Sequence, residues 1–254
     1  MTKIAIEDDI AVITLSHGVT NSLTLDHVRE IDSVVNQVNR EEKLKGIVLT
    51  GEGRFFCSGF HLPDFIAFKD LDEACKWFEE EEAILLRLFC CDKPVVCAMN
   101  GHSAAAGIIY AMASDYRLVK NHPKIKLGMS EFKIGLSLAV VHAAVVQYGL
   151  DSKRVFRDVM FFGKMYGVEE ALKIGMVDEI VEEDRLILRA KEIISNWIDT
   201  PDRPFIPVKR KMKEETVLQI KRTLEEGSWR EALRGLLKED VRRSLEYVQS
   251  TMPK

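Results

Sequence analysis

The sequence lacks several features that would assign a function at once. Its 254 residues include no run near the roughly 18 apolar residues that cross a membrane. No GxGxxG segment, phosphate-binding GKS/T loop or GxSxG turn is present, so nucleotide binding and serine hydrolysis by these devices are not supported. The five cysteines form no CxxC pair, and we therefore expect buried free thiols rather than a disulfide framework or a zinc site.

Charge of either sign is not in large excess. The chain carries 36 Lys and Arg against 40 Asp and Glu, a net charge of −4. Residues 200–254 hold 13 basic and 9 acidic side chains, whereas the rest of the chain is acidic. This pattern argues against a general nucleic-acid binder. The basic C-terminal region is either a solvated helix face or a surface for a phosphorylated ligand or an acidic neighbouring subunit.

Targeting signals are also missing from the two ends of the sequence. Acidic residues at positions 7–9 occupy the place where a signal peptide needs its apolar stretch. Residues 251–254 form neither a peroxisomal tripeptide nor a lipid anchor. The expectation is a cytoplasmic protein without a membrane partner.

Apolar periodicity predicts strands that alternate with helices over most of the chain. Residues 4–15 predict a β-hairpin, and Thr24 is placed to cap a helix whose apolar residues recur at helical spacing. Short buried strands are predicted at 46–50 and 95–99. Such alternation indicates an α/β fold.

The pattern changes near the three prolines Pro201, Pro204 and Pro207. Beyond them the sequence predicts only charged amphipathic helices. We therefore divide the chain into an α/β core, residues 1–199, and a C-terminal helical region, residues 200–254.

Two segments rich in small residues follow strands and precede helices: Phe55–Leu62 and Asn100–Gly107. Small residues at a helix start let backbone N–H groups approach a ligand closely, and the helix dipole favours negative charge there. If the two segments converge, their N–H groups would form an oxyanion hole. Ordinary turn chemistry with tight helix packing is the alternative, and spacing alone favours it.

One carboxylate stands out from its surroundings. Glu131 lies within Leu127–Leu136, a stretch of otherwise apolar and small residues with one lysine. An acid that faces apolar walls has a raised pKa, which suits proton transfer near neutral pH. The alternative is a helix cap or an ion pair with Lys133 or an arginine.

The six histidines show neither metal-ligand spacing nor a nucleophile–histidine–aspartate arrangement. His61 and His102 lie in the two glycine-containing segments and are predicted to approach a pocket. For the other four, packing or exposure is the simpler interpretation. No metal is predicted.

Taken in order, these segments resemble the signature loops of the crotonase (enoyl-CoA hydratase/isomerase) superfamily. The segments that carry the resemblance are Phe55–Leu62, Asn100–Asp115, Gly128–Gly135 and Leu172–Asp178. Each is weak alone, but the set is specific. The resemblance runs from about residue 3 to residue 200 and extends into the helical region.

The resemblance implies a crotonase-like spiral of ββα units with a C-terminal helical region of the trimerisation type, giving a homotrimer or a dimer of trimers. It also implies an acyl-CoA substrate whose thioester oxygen is held between two backbone N–H groups. By position, these are the N–H groups of Phe60 and Ala106. Coenzyme A would enter as part of the substrate, with no separate cofactor. This chain has Ala106 where glycine is more common and His61 in place of an aspartate.

Further residues are implied to contact the substrate by their position in the family pattern. Asn21, Ser22 and Leu23 would approach the adenine and pantetheine of CoA, and Leu62 would lie along the channel. The other implied contacts are Ser58, Gly59, His61, Gly107 and Ile109.

The reaction follows from the implied catalytic positions. Hydratases of the family use two glutamates, at positions occupied here by Ile109 and Glu131. Isoleucine cannot hold or activate water, whereas shifting the double bond of a 3-enoyl thioester to position 2 needs one base. The resemblance therefore favours an isomerase in which Glu131 moves a proton from C2 to C4. Hydration or another acyl-CoA reaction through an unidentified second group, and a non-catalytic acyl-CoA-binding subunit, are the alternatives.

Overall fold

The computed structural model describes residues 2–253. The strands are β1 (Lys3–Glu7), β2 (Ile10–Leu15), β3 (Gly46–Gly51), β4 (Phe55–Cys57), β5 (Val95–Met99), β6 (His102–Ala104), β7 (Tyr116–Lys120), β8 (Leu127–Gly128), β9 (Met165–Tyr166) and β10 (Glu179–Val181). The helices are α1 (Leu25–Arg40), α2 (Leu62–Ile66), α3 (Leu71–Phe89), α4 (Ala106–Ala113), α5 (Val140–Gly149), α6 (Lys153–Phe162), α7 (Val168–Lys173), α8 (Leu186–Ile198), α9 (Phe205–Glu226), α10 (Trp229–Ala232) and α11 (Glu239–Thr251). Short 3-10 turns span Glu131–Ile134, Glu183–Arg185 and Leu233–Leu237.

The strands form two sheets that the chain visits in turn. The larger sheet has the order β1-β2-β3-β5-β7-β10, and the smaller has the order β4-β6-β8-β9. The strands are parallel except in the pairs β1–β2 and β8–β9. After β3, β5 and β7 the chain crosses to the smaller sheet and then enters helical structure before it returns. This is the predicted spiral of ββα units.

The first elements form as their sequence predicts. Asp8 and Asp9 adopt φ angles of 55° and 63°, the conformation that a two-residue hairpin turn requires and that aspartate tolerates. The Thr24 side chain accepts a hydrogen bond from the backbone of His27, and the His27 ring accepts one from the Thr24 backbone. This reciprocal cap begins α1, whose apolar side then packs into the core.

Both faces of the larger sheet are covered, which explains its continuous apolar strands. On one face lies the main hydrophobic core, to which α1, α3, α4 and α5 contribute. On the other face, Val48, Val96 and Leu118 pack against Ile193 and Ile194 of α8 in a second cluster. Helix α4 is buried at every position, as expected for a helix that is apolar all round.

The C-terminal helices share the main core. Ile220, Trp229, Leu236 and Leu245 all belong to the same hydrophobic cluster as the sheets. The helical region predicted for residues 200–254 is therefore present and packed onto the rest of the chain. The division into two domains at residue 199 stays a prediction.

The basic residues of α9 do not all face solvent. Arg210 is exposed and pairs with Asp92, in agreement with a solvated helix face. Lys209 and Lys213 instead have side chains only 6% exposed, and both pair with Asp115, which lies between α4 and β7. For these two lysines the solvated-face interpretation was wrong.

Three details differ from the sequence-based expectations. Phe55–Cys57, the start of the first small-residue segment, forms strand β4 rather than loop, and a strand that the sequence also predicts at residues 125–127 lies at Leu127–Gly128. Four cysteines are buried free thiols, as predicted, but Cys90 is exposed. None of the helices in residues 2–253 is long and apolar enough to span a bilayer.

Candidate active site

A cavity of about 280 Å³ lies where the two small-residue segments, Phe55–Leu62 and Asn100–Gly107, meet the C-terminal helices. Its walls are mainly apolar, since Phe65, Phe78 and Ile109 line one part and Leu236 and Met252 another. Pockets of this type, apolar with few polar groups, are where small-molecule ligands bind. The polar groups that reach the cavity therefore decide what it does.

The first segment leaves one backbone N–H group, that of the cavity-lining residue Phe60, without a partner in the described chain. Leu23 donates to the Gly59 carbonyl at 2.9 Å and accepts from His61 N–H at 2.8 Å. This parallel bridge uses the groups on either side of Phe60, so the N–H of Phe60 points away from Leu23. It has no acceptor within the described residues 2–253.

The second segment supplies another N–H group close by. Ala106 is the first residue of α4, and its N–H finds no acceptor in the described part of the chain. A methyl group built on Gly59 would lie 2.9 Å from the Cβ of Ala105 and 3.7 Å from the nitrogen of Ala106. The two segments thus converge. Two unpaired N–H groups beside one cavity are the arrangement that holds a developing oxyanion.

Ala105 holds a strained backbone conformation that sets the direction of the Ala106 N–H. Its φ of 52° and ψ of −123° lie in a region that glycine enters easily and alanine does not. Such strain costs on the order of 1–3 kcal/mol and is concentrated at functional sites.

We expect Ala105→Gly to raise the free energy of unfolding by about 1 kcal/mol, because relief of strain exceeds the entropy cost of glycine. Ala111→Gly, the same change in the interior of α4, should instead lower it by about 1 kcal/mol or more. Urea unfolding of both variants measures the difference. A loss of stability in Ala105→Gly as large as that in Ala111→Gly would show that the backbone at Ala105 is not strained.

Glu131 begins the 3-10 turn that follows β8, and Gly135, with φ of 78°, ends this turn. The Glu131 side chain lines the cavity and is only 9% exposed. Its Oε2 is buried without a hydrogen-bond partner among residues 2–253. Burial raises the pKa of Glu131 to about 6, although the nearby His142 acts in the opposite direction.

The structure contradicts the ion-pair interpretation of Glu131. The carboxylate makes no ion pair with Lys133 or an arginine within the part of the chain that the structure describes. A buried carboxyl group with a pKa near 6 can exchange a proton near neutral pH.

A second ionisable group lines the same cavity. His142 of α5 is 3% exposed, and its Nε2 lies 2.6 Å from Oε2 of Glu81 in α3. The other oxygen of Glu81 accepts a hydrogen bond from the hydroxyl of Tyr110 at 2.9 Å. Sequence analysis assigned His142 to packing or exposure, and that interpretation missed its place at the cavity.

A sequence signal for this cluster existed but was incomplete. Glu81 belongs to a run of four glutamates, residues 79–82, which usually indicates a solvated face. The apolar residues Phe78 and Leu85 lie three and four positions away on the same helix, so helical periodicity places Glu81 on the buried side. Its pairing with His142, 61 residues further along, could not be read from this pattern.

Several other predicted contacts also line the cavity. They are Phe60, Ala106, Ser58, Gly59, Leu62 and Ile109. Ser58 has a buried hydroxyl without a partner within residues 2–253. Ile109 is 2% exposed, so an apolar side chain lies at the position that the resemblance assigns to the first of a hydratase's two glutamates.

The remaining predicted contacts lie outside the cavity wall. Asn21 donates from its side-chain amide to the carbonyl groups of Glu52 and Phe55, at 2.9 and 2.7 Å, and so supports the first segment. Leu23 makes the bridge to Phe60, and Ser22 lies between these two residues. The structure thus brings Asn21, Ser22 and Leu23 next to the first segment.

Gly107, His61 and His102 also do not line the cavity. Gly107 faces β4, where a Cβ atom would lie 2.5 Å from the Cys57 carbonyl oxygen. His61 directs its Nδ1 to Asp64 at 2.9 Å. His102 accepts from the backbone of Lys126. Within residues 2–253, no group of three or more metal-ligating side chains is placed to hold an ion.

The fold and the cavity together define a class of protein. Two sheets of ββα units, with N–H groups from two loops beside an apolar cavity that the C-terminal helices also line, form the crotonase fold. The sequence profile of the family described as enoyl-CoA hydratase/isomerase matches residues 5–235. The chain belongs to this family.

Individual relatives include both isomerases and hydratases. The chain is 28% identical over 208 residues to mitochondrial enoyl-CoA delta isomerase 1 of Mus musculus, covering 82% of this chain and 71% of the relative. It is 30% identical over 191 residues to a Mycobacterium leprae protein named probable enoyl-CoA hydratase, covering 70% and 63%. The crystal structure of human mitochondrial delta3-delta2-enoyl-CoA isomerase superposes with a TM-score of 0.88 at 21% identity, over 98% of this chain and 96% of that one. At such low identity this superposition shows a shared fold.

Proposed function

We propose that this protein is an enoyl-CoA isomerase that converts 3-enoyl-CoA to 2-enoyl-CoA, with Glu131 as its single base. The observation that carries the proposal is the buried, unpartnered Oε2 of Glu131 at an apolar cavity. Beside this cavity lie the unpaired N–H groups of Phe60 and Ala106. A base and an oxyanion hole are the two parts that the isomerisation needs.

The proposed reaction moves one proton and one double bond. Glu131 removes a proton from C2, and the electron pair of that C–H bond passes toward the thioester oxygen. The N–H groups of Phe60 and Ala106 donate to this oxygen and stabilise the dienolate. The protonated Glu131 then returns a proton to C4, so the double bond lies between C2 and C3. The apolar wall at Ile109 keeps water from the intermediate.

The rest of the substrate is assigned on the same basis. We propose that coenzyme A enters as part of the substrate, past Asn21, Ser22 and Leu23, and that no separate cofactor is used. The acyl chain would lie against the apolar residues of the C-terminal helices, such as Leu236 and Met252. The family resemblance supports a homotrimer or a dimer of trimers, and we propose a cytoplasmic location.

The pH dependence of the reaction tests the base. Because burial raises the pKa of Glu131 to about 6 and only the carboxylate accepts a proton, kcat/KM should rise with pH and level off above that value. Below pH 5 it should fall about tenfold per unit. Steady-state rates with 3-hexenoyl-CoA across pH 4.5–8 measure this limb. A flat profile down to pH 4.5 would contradict the assignment of Glu131 as base.

Incubation with 3-hexenoyl-CoA and 2-hexenoyl-CoA in deuterated water tests the reaction class. An isomerase converts the first into the second, with the absorbance of a conjugated thioester and no new oxygen. A hydratase adds a hydroxyl group whose oxygen comes from water, and a binding subunit produces no turnover. Conversion without hydroxylation supports the proposal, whereas a hydroxylated product or no turnover overturns it.

Hydration is the second candidate, because a specific observation favours it. His142 is a second ionisable side chain at the cavity, and hydration needs two groups that handle protons and water. Isolation of 3-hydroxyhexanoyl-CoA from 2-hexenoyl-CoA would identify this reaction.

A further inference from the structure

His142 and Glu131 lie at one cavity whose other walls carry no charge. Among the lining residues within the described chain, these two are the ionisable ones. Both side chains are buried: His142 is 3% exposed and Glu131 is 9% exposed. Burying ionisable groups is costly unless they are paired. The contacts of His142 therefore need an explanation beyond packing.

The ring of His142 is held from behind by a buried hydrogen-bond chain. Since a carboxylate only accepts hydrogen bonds, the Nε2 of His142 carries a proton that it donates to Glu81 at 2.6 Å. Tyr110 donates to the same carboxylate at 2.9 Å, and both Glu81 and Tyr110 are 0% exposed. Burial lowers the pKa of His142, but the charge and the hydrogen bond of Glu81 outweigh it, so the pKa is raised.

The backbone of His142 is held by the adjacent glutamate. Helix α5 has no side-chain cap of its own, and Glu82 Oε1 accepts instead from the N–H groups of Val141 at 2.5 Å and His142 at 3.4 Å. A carboxylate at this position also interacts favourably with the helix dipole. Two consecutive glutamates of α3 thus hold one histidine, one through its ring and one through its backbone.

The side of the ring opposite Glu81 is left without a partner. The Nδ1 of His142 makes no hydrogen bond within residues 2–253, and the Oε2 of Glu131 also makes none. The charge of His142 nevertheless acts on Glu131, where it lowers the pKa against the larger effect of burial. Within the described residues, one nitrogen of His142 and one oxygen of Glu131 thus remain without a partner at the same apolar cavity.

We propose that His142 is a positioning residue for the base, an imidazolium held by Glu81, which Tyr110 holds in turn, and that its charge keeps the Glu131 carboxylate ionised. This inference rests on the proposed isomerase function. During the reaction, negative charge leaves Glu131 and appears on the dienolate, and a fixed cation at the cavity stabilises the charge in both places. Glu81 and Glu82 of α3 also act on His142, whereas the buried lysines of α9, which also packs on α5, are paired with Asp115.

The test uses the pH dependence of the isomerase reaction in two variants. In His142→Gln the cation is lost while a polar side chain of similar length remains. We expect the acidic limb of kcat/KM to move upward by about one pH unit, because an opposite charge near a carboxyl group lowers its pKa by about 1–3 units. We also expect kcat to fall about tenfold with KM within a few-fold.

Glu81→Gln is the second variant. Glu81 does not line the cavity, so this substitution leaves the cavity wall unchanged. It removes the carboxylate that keeps His142 protonated, so the acidic limb should move in the same direction. This variant also serves if His142→Gln fails to fold. His122→Gln is the matched control, because His122 is exposed and outside the cavity, and its profile should equal that of the unaltered protein.

The outcomes separate this inference from the isomerase proposal. If Glu131→Gln abolishes turnover while His142→Gln and Glu81→Gln keep the original pH profile, the positioning role is wrong and the isomerase proposal stands. If His142→Gln loses turnover as completely as Glu131→Gln does, His142 is itself a catalytic residue and the positioning role is again wrong. If the unaltered protein does not isomerise 3-hexenoyl-CoA, the isomerase proposal itself fails.

Discussion

Glu131→Gln is expected to lower kcat for the isomerisation of 3-hexenoyl-CoA by about 10³-fold or more. One base carries both proton transfers in the proposed reaction, and general acid–base catalysis contributes about 10²–10⁴-fold. Glutamine keeps the shape and the polarity of the side chain, so KM and the affinity for coenzyme A should stay within a few-fold. Steady-state kinetics with the purified variant measure both quantities.

The control for this experiment is Glu169→Gln. Glu169 is an exposed glutamate of α7, distant from the cavity wall, and its replacement should leave kcat unchanged. Turnover of Glu131→Gln near that of the control would remove Glu131 from the mechanism.

Glu131→Gln should also be more stable than the unaltered protein at pH 7. Burial raises the folded-state pKa of Glu131 from 4.5 to about 6, so between these values the folded protein binds more protons than the unfolded chain. Stability therefore falls as pH rises through this window, by about 2 kcal/mol. A neutral glutamine avoids this loss, and urea unfolding at pH 7 should show it. Increased stability with lost activity is the expected signature of a functional buried acid.

Asp115→Asn is expected to lower the free energy of unfolding by about 3–5 kcal/mol, because it leaves two buried ammonium groups without their counter-charge. Asp115 lies 2.5 Å from Nζ of Lys209 and 2.8 Å from Nζ of Lys213. The two lysines also donate to main-chain carbonyl groups of Lys93 and Phe89. Burial lowers the pKa of Lys213 to about 8, whereas Asp115 acts in the opposite direction, so loss of the aspartate should lower this pKa further.

Another ion pair of α9 provides a matched control. Asp92→Asn removes the partner of Arg210, whose ion pair is largely exposed, and should cost less than about 1 kcal/mol. Urea unfolding of both variants compares the loss of a buried and of a partly exposed aspartate, each of which pairs with a basic residue of α9. A loss below 1 kcal/mol in Asp115→Asn would mean that the buried lysines do not fasten α9 to the core.

Local patterns predicted most of the fold because they report local physics. The hairpin turn at Asp8 and Asp9, the cap at Thr24 and the wholly apolar α4 each depend on neighbours within a few residues. Strand β4 was missed because its three residues pair with β6, a partner some 45 residues away in sequence. So short a strand has no periodicity of its own to detect.

Some residues of the candidate site could likewise be recognised from the sequence, whereas others could not. Glu131 was recognised because the sequence itself shows an acidic residue within an apolar stretch. In the structure its Oε2 has no hydrogen-bond partner among the described residues. His142 was not recognised, because its importance comes from Glu81 on a different helix. The buried lysines of α9 were taken for a charged surface, since nothing near them in sequence shows Asp115.

By itself the sequence determined the α/β class, the position of the two small-residue segments and the lone acid at residue 131, because each of these features depends on residues that are close together in the sequence. Only the tertiary structure decided which polar groups share the cavity and which charges are buried. The physical reason is that burial and pairing arise when distant segments meet. The pKa of a carboxyl group or an imidazole is set by that meeting rather than by its neighbours along the chain.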